Sequence, residues 1–157
     1  MIYIGIDIGG TKCAASLGYS DEQGNIRILH KCCKRLTQKR PPELVLPELL
    51  EDVKYCISQT EEPPTLDELY CLMNDILGEN NLKYTDIKGI GISCGGPLSS
   101  KEGLVLSPPN LIGWDRVPIV EYFQAATGLP TYLCNDANAG ALAEWRMGAG
   151  RGTQNMV

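Results

Sequence analysis

The run Ile2-Tyr3-Ile4-Gly5-Ile6-Asp7-Ile8 feeds directly into Gly9-Gly10-Thr11, and Cys13-Ala14-Ala15-Ser16-Leu17-Gly18 follows at once. β-Branched and aromatic residues favour extended backbone and glycines allow a tight reversal, so the two segments predict a hairpin that starts a sheet. A third extended segment, Ile26 to Cys32, follows the turn Asp21-Glu22-Gln23-Gly24-Asn25, and its alternation predicts one solvated face. His30 is the only histidine, so it is expected as an exposed or edge-strand side chain rather than a metal ligand.

Between Lys34 and Pro64, five prolines (Pro41, Pro42, Pro47, Pro63 and Pro64) punctuate a charged stretch that reads as a peripheral excursion rather than core. Leu49, Leu50, Val53, Cys56 and Ile57 share one helical face, which predicts a surface helix with Pro47 near its first turn. Thr65-Leu66-Asp67-Glu68 has the spacing of a capping box, and Leu69, Leu72, Met73, Ile76 and Leu77 predict a second helix with Met73 as core filler. Ile87 to Cys94 is short and apolar enough for a buried strand, closed by Gly95-Gly96-Pro97, and a helix leading into it implies a parallel crossover. Beyond the proline-rich loop Ser107 to Trp114, a short helix is expected over Pro118 to Thr127, stopped by Gly128 and Pro130. Thr131 to Cys134 reads as the last strand, Asn135-Asp136 as its mouth, and the alanine-rich segment after it as a helix whose small residues permit close packing. The resulting order, βββαβαβα, is an α/β fold with a mixed sheet.

A length of 157 residues fits one domain, or one lobe of a larger protein. Nineteen acidic against fourteen basic residues leave a net charge of -5, the wrong sign for a surface that tracks nucleic-acid phosphates. No apolar run reaches the roughly 18 residues that span a bilayer, so no membrane partner is expected. The seven cysteines include no C-x-x-C pair and mostly sit beside apolar residues, which fits buried, reduced thiols in a cytoplasm.

Two strand-end segments could carry chemistry. In Asp7-Ile8-Gly9-Gly10-Thr11-Lys12 the glycines let backbone N–H groups approach phosphate oxygens, while Thr11 and Lys12 add donors and Asp7 could hold hydrated Mg²⁺. An acid inside an apolar strand strengthens that reading, since a buried charge is costly unless it has a partner or an ion. The plain alternative is a glycine hairpin turn. Asn135-Asp136 is equally an ordinary helix N-cap, or a carboxylate that takes a proton from a substrate hydroxyl beside an amide that orients it. Gly95-Gly96-Pro97 and Asn110 would then line the same crevice, since ligands of open α/β sheets sit beyond the carboxyl ends of the strands.

Gly5 to Lys12, Gly89 to Pro97, Ser107 to Trp114 and Asn135 to Ala139, in this order, closely resemble the ROK family of sugar kinases and regulators. The likeness covers nearly the whole chain except about 36–63, where an insertion longer than the family norm is expected. The resemblance implies the actin-like, ribonuclease-H-like ATPase fold, with residues 1–157 as an N-terminal lobe and the C-terminal lobe, with the family's structural zinc, outside this chain. It implies ATP- and Mg²⁺-dependent phosphorylation of a hexose, as in glucokinases, with Asp136 as general base. Asn135, Asn110, Gly95, Gly96 and Pro97 would contact the sugar, Gly9, Gly10, Thr11 and Lys12 the phosphates, and Asp7 the Mg²⁺ through water. The full-length protein could form a homodimer, and these residues alone are expected to turn over no substrate. A DNA-binding repressor is disfavoured because no helix-turn-helix precedes the first strand, whereas a non-catalytic sugar-sensing module is the main alternative.

Overall fold

The computed structural model of the chain describes residues 1–21, 24–60 and 87–155. Strands β1 (Ile2–Ile8), β2 (Lys12–Ser20) and β3 (Ile26–Lys31) form the expected antiparallel meander. β4 (Arg35–Leu36) pairs with the start of β2. Helix α1 (Pro42–Ser58) follows, and β5 (Ile87–Cys94) then lies parallel to β1. A short hairpin, β6 (Leu98–Ser99) and β7 (Leu104–Val105), precedes helix α2 (Ile119–Thr127), strand β8 (Thr131–Asn135) parallel to β5, and helix α3 (Asp136–Met147). The main sheet runs β3-β2-β1-β5-β8 among the described residues, mixed as expected. The helix expected from Thr65 onward, with Met73, lies outside the described residues.

Alternation decides which face of this sheet is covered. Ile2, Ile4, Ile6 and Ile8 point into the core with Cys13, Ala15 and Leu17 of β2, while Tyr3 and Asp7 lie on the open face. Ile119 and Phe123 of α2 and the loop residue Trp114 complete the core. So does α1, which corrects the expectation of a peripheral surface helix: Val45, Leu49, Val53 and Cys56 are fully buried. Pro41 and Pro42 open an amphipathic helix here rather than a loop. Pro42 occupies its first turn, where a missing N–H costs nothing, and Pro47 lies inside the helix rather than near its start.

Two further expectations are corrected. β3 does not alternate between a buried and a solvated face, since it is an edge strand with Ile26 and Ile28 exposed; His30 on it packs edge-on against Tyr55. The close packing expected of the alanine-rich helix is not found, because α3 buries none of its residues and Leu142, Trp145 and Met147 are exposed. Cys13, Cys32, Cys56 and Cys94 are buried thiols as expected, whereas Cys33 is exposed. No helix among the described residues is long and apolar enough to cross a membrane.

Candidate functional site

The carboxyl ends of the three parallel strands lie side by side. Ile8 pairs with Cys94, and Cys94 with Asn135, so the glycine loop after β1, Gly95-Gly96-Pro97 after β5 and Asp136 after β8 leave one edge of the sheet together. With strands about 4.8 Å apart, the loop after β1 and Asp136 are separated by two strand spacings, roughly 10 Å. Burial, then the negative charges of Asp136 and Asp7, push the Cys94 thiol up to about 12.

Each loop is shaped by specific contacts. Gly9 N–H donates to Lys12 O (3.0 Å), closing the tight turn into β2. Gly10 lies against Asn110: a Cβ on it would stand 2.9 Å from Asn110 O and collide with Asn110 Cβ, so only glycine lets these loops touch. Asn110 is carried by the proline-rich loop, which Trp114 anchors by burying its ring and donating from Nε1 to Arg40 O (3.1 Å). The Gly-Gly-Pro loop is held by Leu106 N–H donating to Pro97 O (2.9 Å), at the exit of the β6–β7 hairpin. Its glycines face the last strand end: a Cβ would stand 3.7 Å from Asp136 Oδ2 at Gly95 and 3.3 Å from Asn135 Nδ2 at Gly96.

Asn135 is the N-cap of α3, its Oδ1 accepting from Ala137 N–H (3.1 Å) and Asn138 N–H (3.4 Å). The capping reading is therefore correct, and it leaves the Nδ2 donor facing the Gly-Gly-Pro loop. Asp136 Oδ1 accepts from Ala137 N–H (2.8 Å), leaving Oδ2 toward Gly95. Asp7 requires a correction, since it is exposed on the open face of β1 rather than buried. It lines a groove of about 260 Å³ with Lys12, Ser16, Lys31 and Lys34. Mg²⁺ keeps most of its waters and takes one or two protein carboxylates together with substrate phosphates, so Asp7 could hold it only together with a bound phosphate, because Lys12, Lys31 and Lys34 make this lining net positive. Among the described residues, no three His, Cys, Asp or Glu side chains form a closed metal cage.

The glycine loop, Gly95-Gly96-Pro97, Asn110 and Asn135-Asp136 thus lie along one sheet edge, with Asp7 and Lys12 lining the groove beside it. Sequence reading missed Trp114 as the anchor of the Asn110 loop, although a lone tryptophan in a proline-rich loop was a usable signal. It also missed Thr37, which is buried and donates from Oγ1 to Gly9 O (2.6 Å).

Comparison with known proteins bears on the family and the fold. The chain is 32% identical over 154 residues to a glucokinase of Streptomyces coelicolor, covering 98% of this chain and 38% of the relative. Among solved structures, a ROK hexokinase of Thermus thermophilus superposes with a TM-score of 0.68 at 30% identity, over 97% of this chain and 41% of that one. A ROK family glucokinase of Streptomyces griseus, solved with glucose and AMPPNP, matches with a TM-score of 0.57 at 30% identity, over 97% and 38%. The chain therefore spans about two fifths of the length of these relatives, and its fold is the expected actin-like one. Since the model of the ROK family matches residues 48–157, this chain belongs to the ROK family.

Proposed function

We propose that residues 1–157 form the N-terminal, sugar-binding lobe of a glucokinase-like enzyme that transfers a phosphoryl group from Mg²⁺-ATP to a hexose. The observation that carries this reading is the juxtaposition of Asp136, beside Gly95, with the glycine loop two strands away. A sugar seated on Gly95, Gly96 and Pro97 would meet the Asn135 Nδ2 donor and Asn110, which fix its hydroxyls. Asp136 Oδ2 would accept the proton of the attacking hydroxyl, and the amides of the glycine loop with Thr11 and Lys12 would bind the phosphates in line with it. Asp7 would hold Mg²⁺ through water, and the ion supplies charge neutralisation on the phosphoryl group when bound. Phosphoryl transfer asks mainly for such positioning and charge, which a site made of loop amides and two carboxylates can provide.

The reading places the second lobe, with any structural zinc and the remaining sugar contacts, in the remainder of a longer chain, sets the protein in the cytoplasm and allows a homodimer. The stretch 36–63 is an insertion in this scheme, although it contributes α1 to the core. The test is Asp136→Asn in the whole protein. The variant is expected to lose about 10³-fold or more in turnover while keeping its sugar affinity, the pattern of a removed general base. Sugar binding with no hexose-dependent ADP release from the wild-type protein would favour the sensing module instead.

A further inference from the structure

The segment Arg35 to Arg40 crosses behind the glycine loop as a strap. After β4, Thr37 N–H (3.0 Å) and Gln38 N–H (3.3 Å) both donate to Thr11 O, and Thr37 Oγ1 donates to Gly9 O. The strap is held at both ends by α1: Arg35 makes a two-pronged pair with Asp52 (2.8 and 2.7 Å) and Arg40 another with Glu48 (2.9 and 2.7 Å). Arg40 O also accepts the Trp114 Nε1–H bond, so one segment braces both the glycine loop and the loop carrying Asn110.

A trans peptide points its C=O and N–H in opposite directions. With Gly9 O turned to Thr37, the Gly10 N–H of the same peptide plane points away from the strap, and no hydrogen bond among the described residues engages it. The plane between two glycines is easily flipped, and a flip would present a carbonyl oxygen where an anion must sit. We infer that Thr37 is a positioning residue for phosphoryl transfer, locking the Gly9–Gly10 peptide so that its N–H faces the phosphate donor. This rests on reading Gly9 to Lys12 as a phosphate loop.

The experiment compares Thr37→Val, which keeps the shape and removes the O–H donor, with Thr37→Ser, which restores it, in the whole protein. Binding of Mg²⁺-AMPPNP, of inorganic tripolyphosphate and of glucose is measured by calorimetry, and KM and kcat in the phosphorylation assay. Thr37→Val is expected to weaken both phosphate ligands about 10-fold, the loss of one hydrogen bond to a buried acceptor, with glucose affinity unchanged and Thr37→Ser within about 2-fold of wild type. A folded Thr37→Val with wild-type phosphate affinity, or one losing glucose and phosphate affinity equally, would overturn the proposal. If Thr37→Val does not fold, amide exchange of the wild type decides: tripolyphosphate should slow exchange at Gly10, and unchanged exchange there would refute the role. Failure of the wild type to bind either phosphate ligand would sink the phosphate-loop reading itself, an outcome distinct from intact binding that ignores Thr37.

Discussion

Gly10→Ala tests the contact that joins the two halves of the site. The added Cβ meets the Asn110 backbone and Cβ rather than the tip of a flexible side chain, so the loops must part. Asn110 O alone has to retreat by about 0.5 Å to reach ordinary contact at 3.4 Å, which already forfeits part of the dispersion energy across the junction. Overpacking of this kind costs about 1–3 kcal/mol, which for a chain of this size lowers Tm by roughly 3–10 °C. Because the displaced loops carry the proposed phosphate and sugar contacts, kcat/KM should fall by about 10²-fold, as for a misplacement approaching 1 Å. Gly91→Ala is the control, since nothing lies within 4 Å of its added Cβ and its stability should stay within about 0.5 kcal/mol of wild type. Urea unfolding followed through tryptophan fluorescence, with hexose-dependent ADP release from the whole protein, reads both effects. Wild-type stability and activity in Gly10→Ala would refute the argument that these loops work in contact.

The buried thiols give a pH dependence. Burial holds Cys13 up to about 11 and Cys94 up to about 12, against an ordinary value of 9.0. The folded chain therefore keeps protons that the unfolded chain loses, so this contribution to stability is constant below about pH 9 and is lost as pH rises toward 12. Urea titrations at rising pH should show that decline, shallower in a Cys13→Ala/Cys94→Ala variant; an equal slope in both would contradict it. Mass spectrometry after iodoacetamide at neutral pH should find exposed Cys33 modified and Cys94 untouched. Asn135→Ala should cost about 1 kcal/mol and speed amide exchange at Ala137 and Asn138, because the α3 cap is lost. Asn135→Asp should keep that protection yet weaken sugar binding, having the capping oxygen but no Nδ2 donor.

Much of this was legible in the sequence wherever local chemistry acts alone. The β-branched run Ile2–Ile8, the glycine reversal and the Gly128 stop of α2 are set by backbone preference, and Gly128 does adopt the left-handed conformation with φ of 72°. What was not legible depends on contacts between distant segments. That α1 is core depends on which sheet face it meets, whereas the exposure of Asp7 was readable from the alternation of Ile2, Ile4, Ile6 and Ile8, which puts Asp7 on the opposite face. Two-residue strands such as β4, β6 and β7 carry too few side chains to show a period. No local pattern marks Thr37, because its bonds to Gly9 and Thr11 join residues far apart in sequence.

The central claim, that the three strand ends form one site for sugar and phosphate donor, is tested most directly by a crystal structure of the whole protein with glucose, Mg²⁺ and AMPPNP. The account predicts a sugar hydroxyl within about 2.6–3.2 Å of Asp136 Oδ2, in line with a terminal phosphate bound at Gly9 to Lys12. A sugar bound away from Gly95, Asn110 and Asp136, or a phosphate chain that leaves the glycine loop untouched, would contradict it.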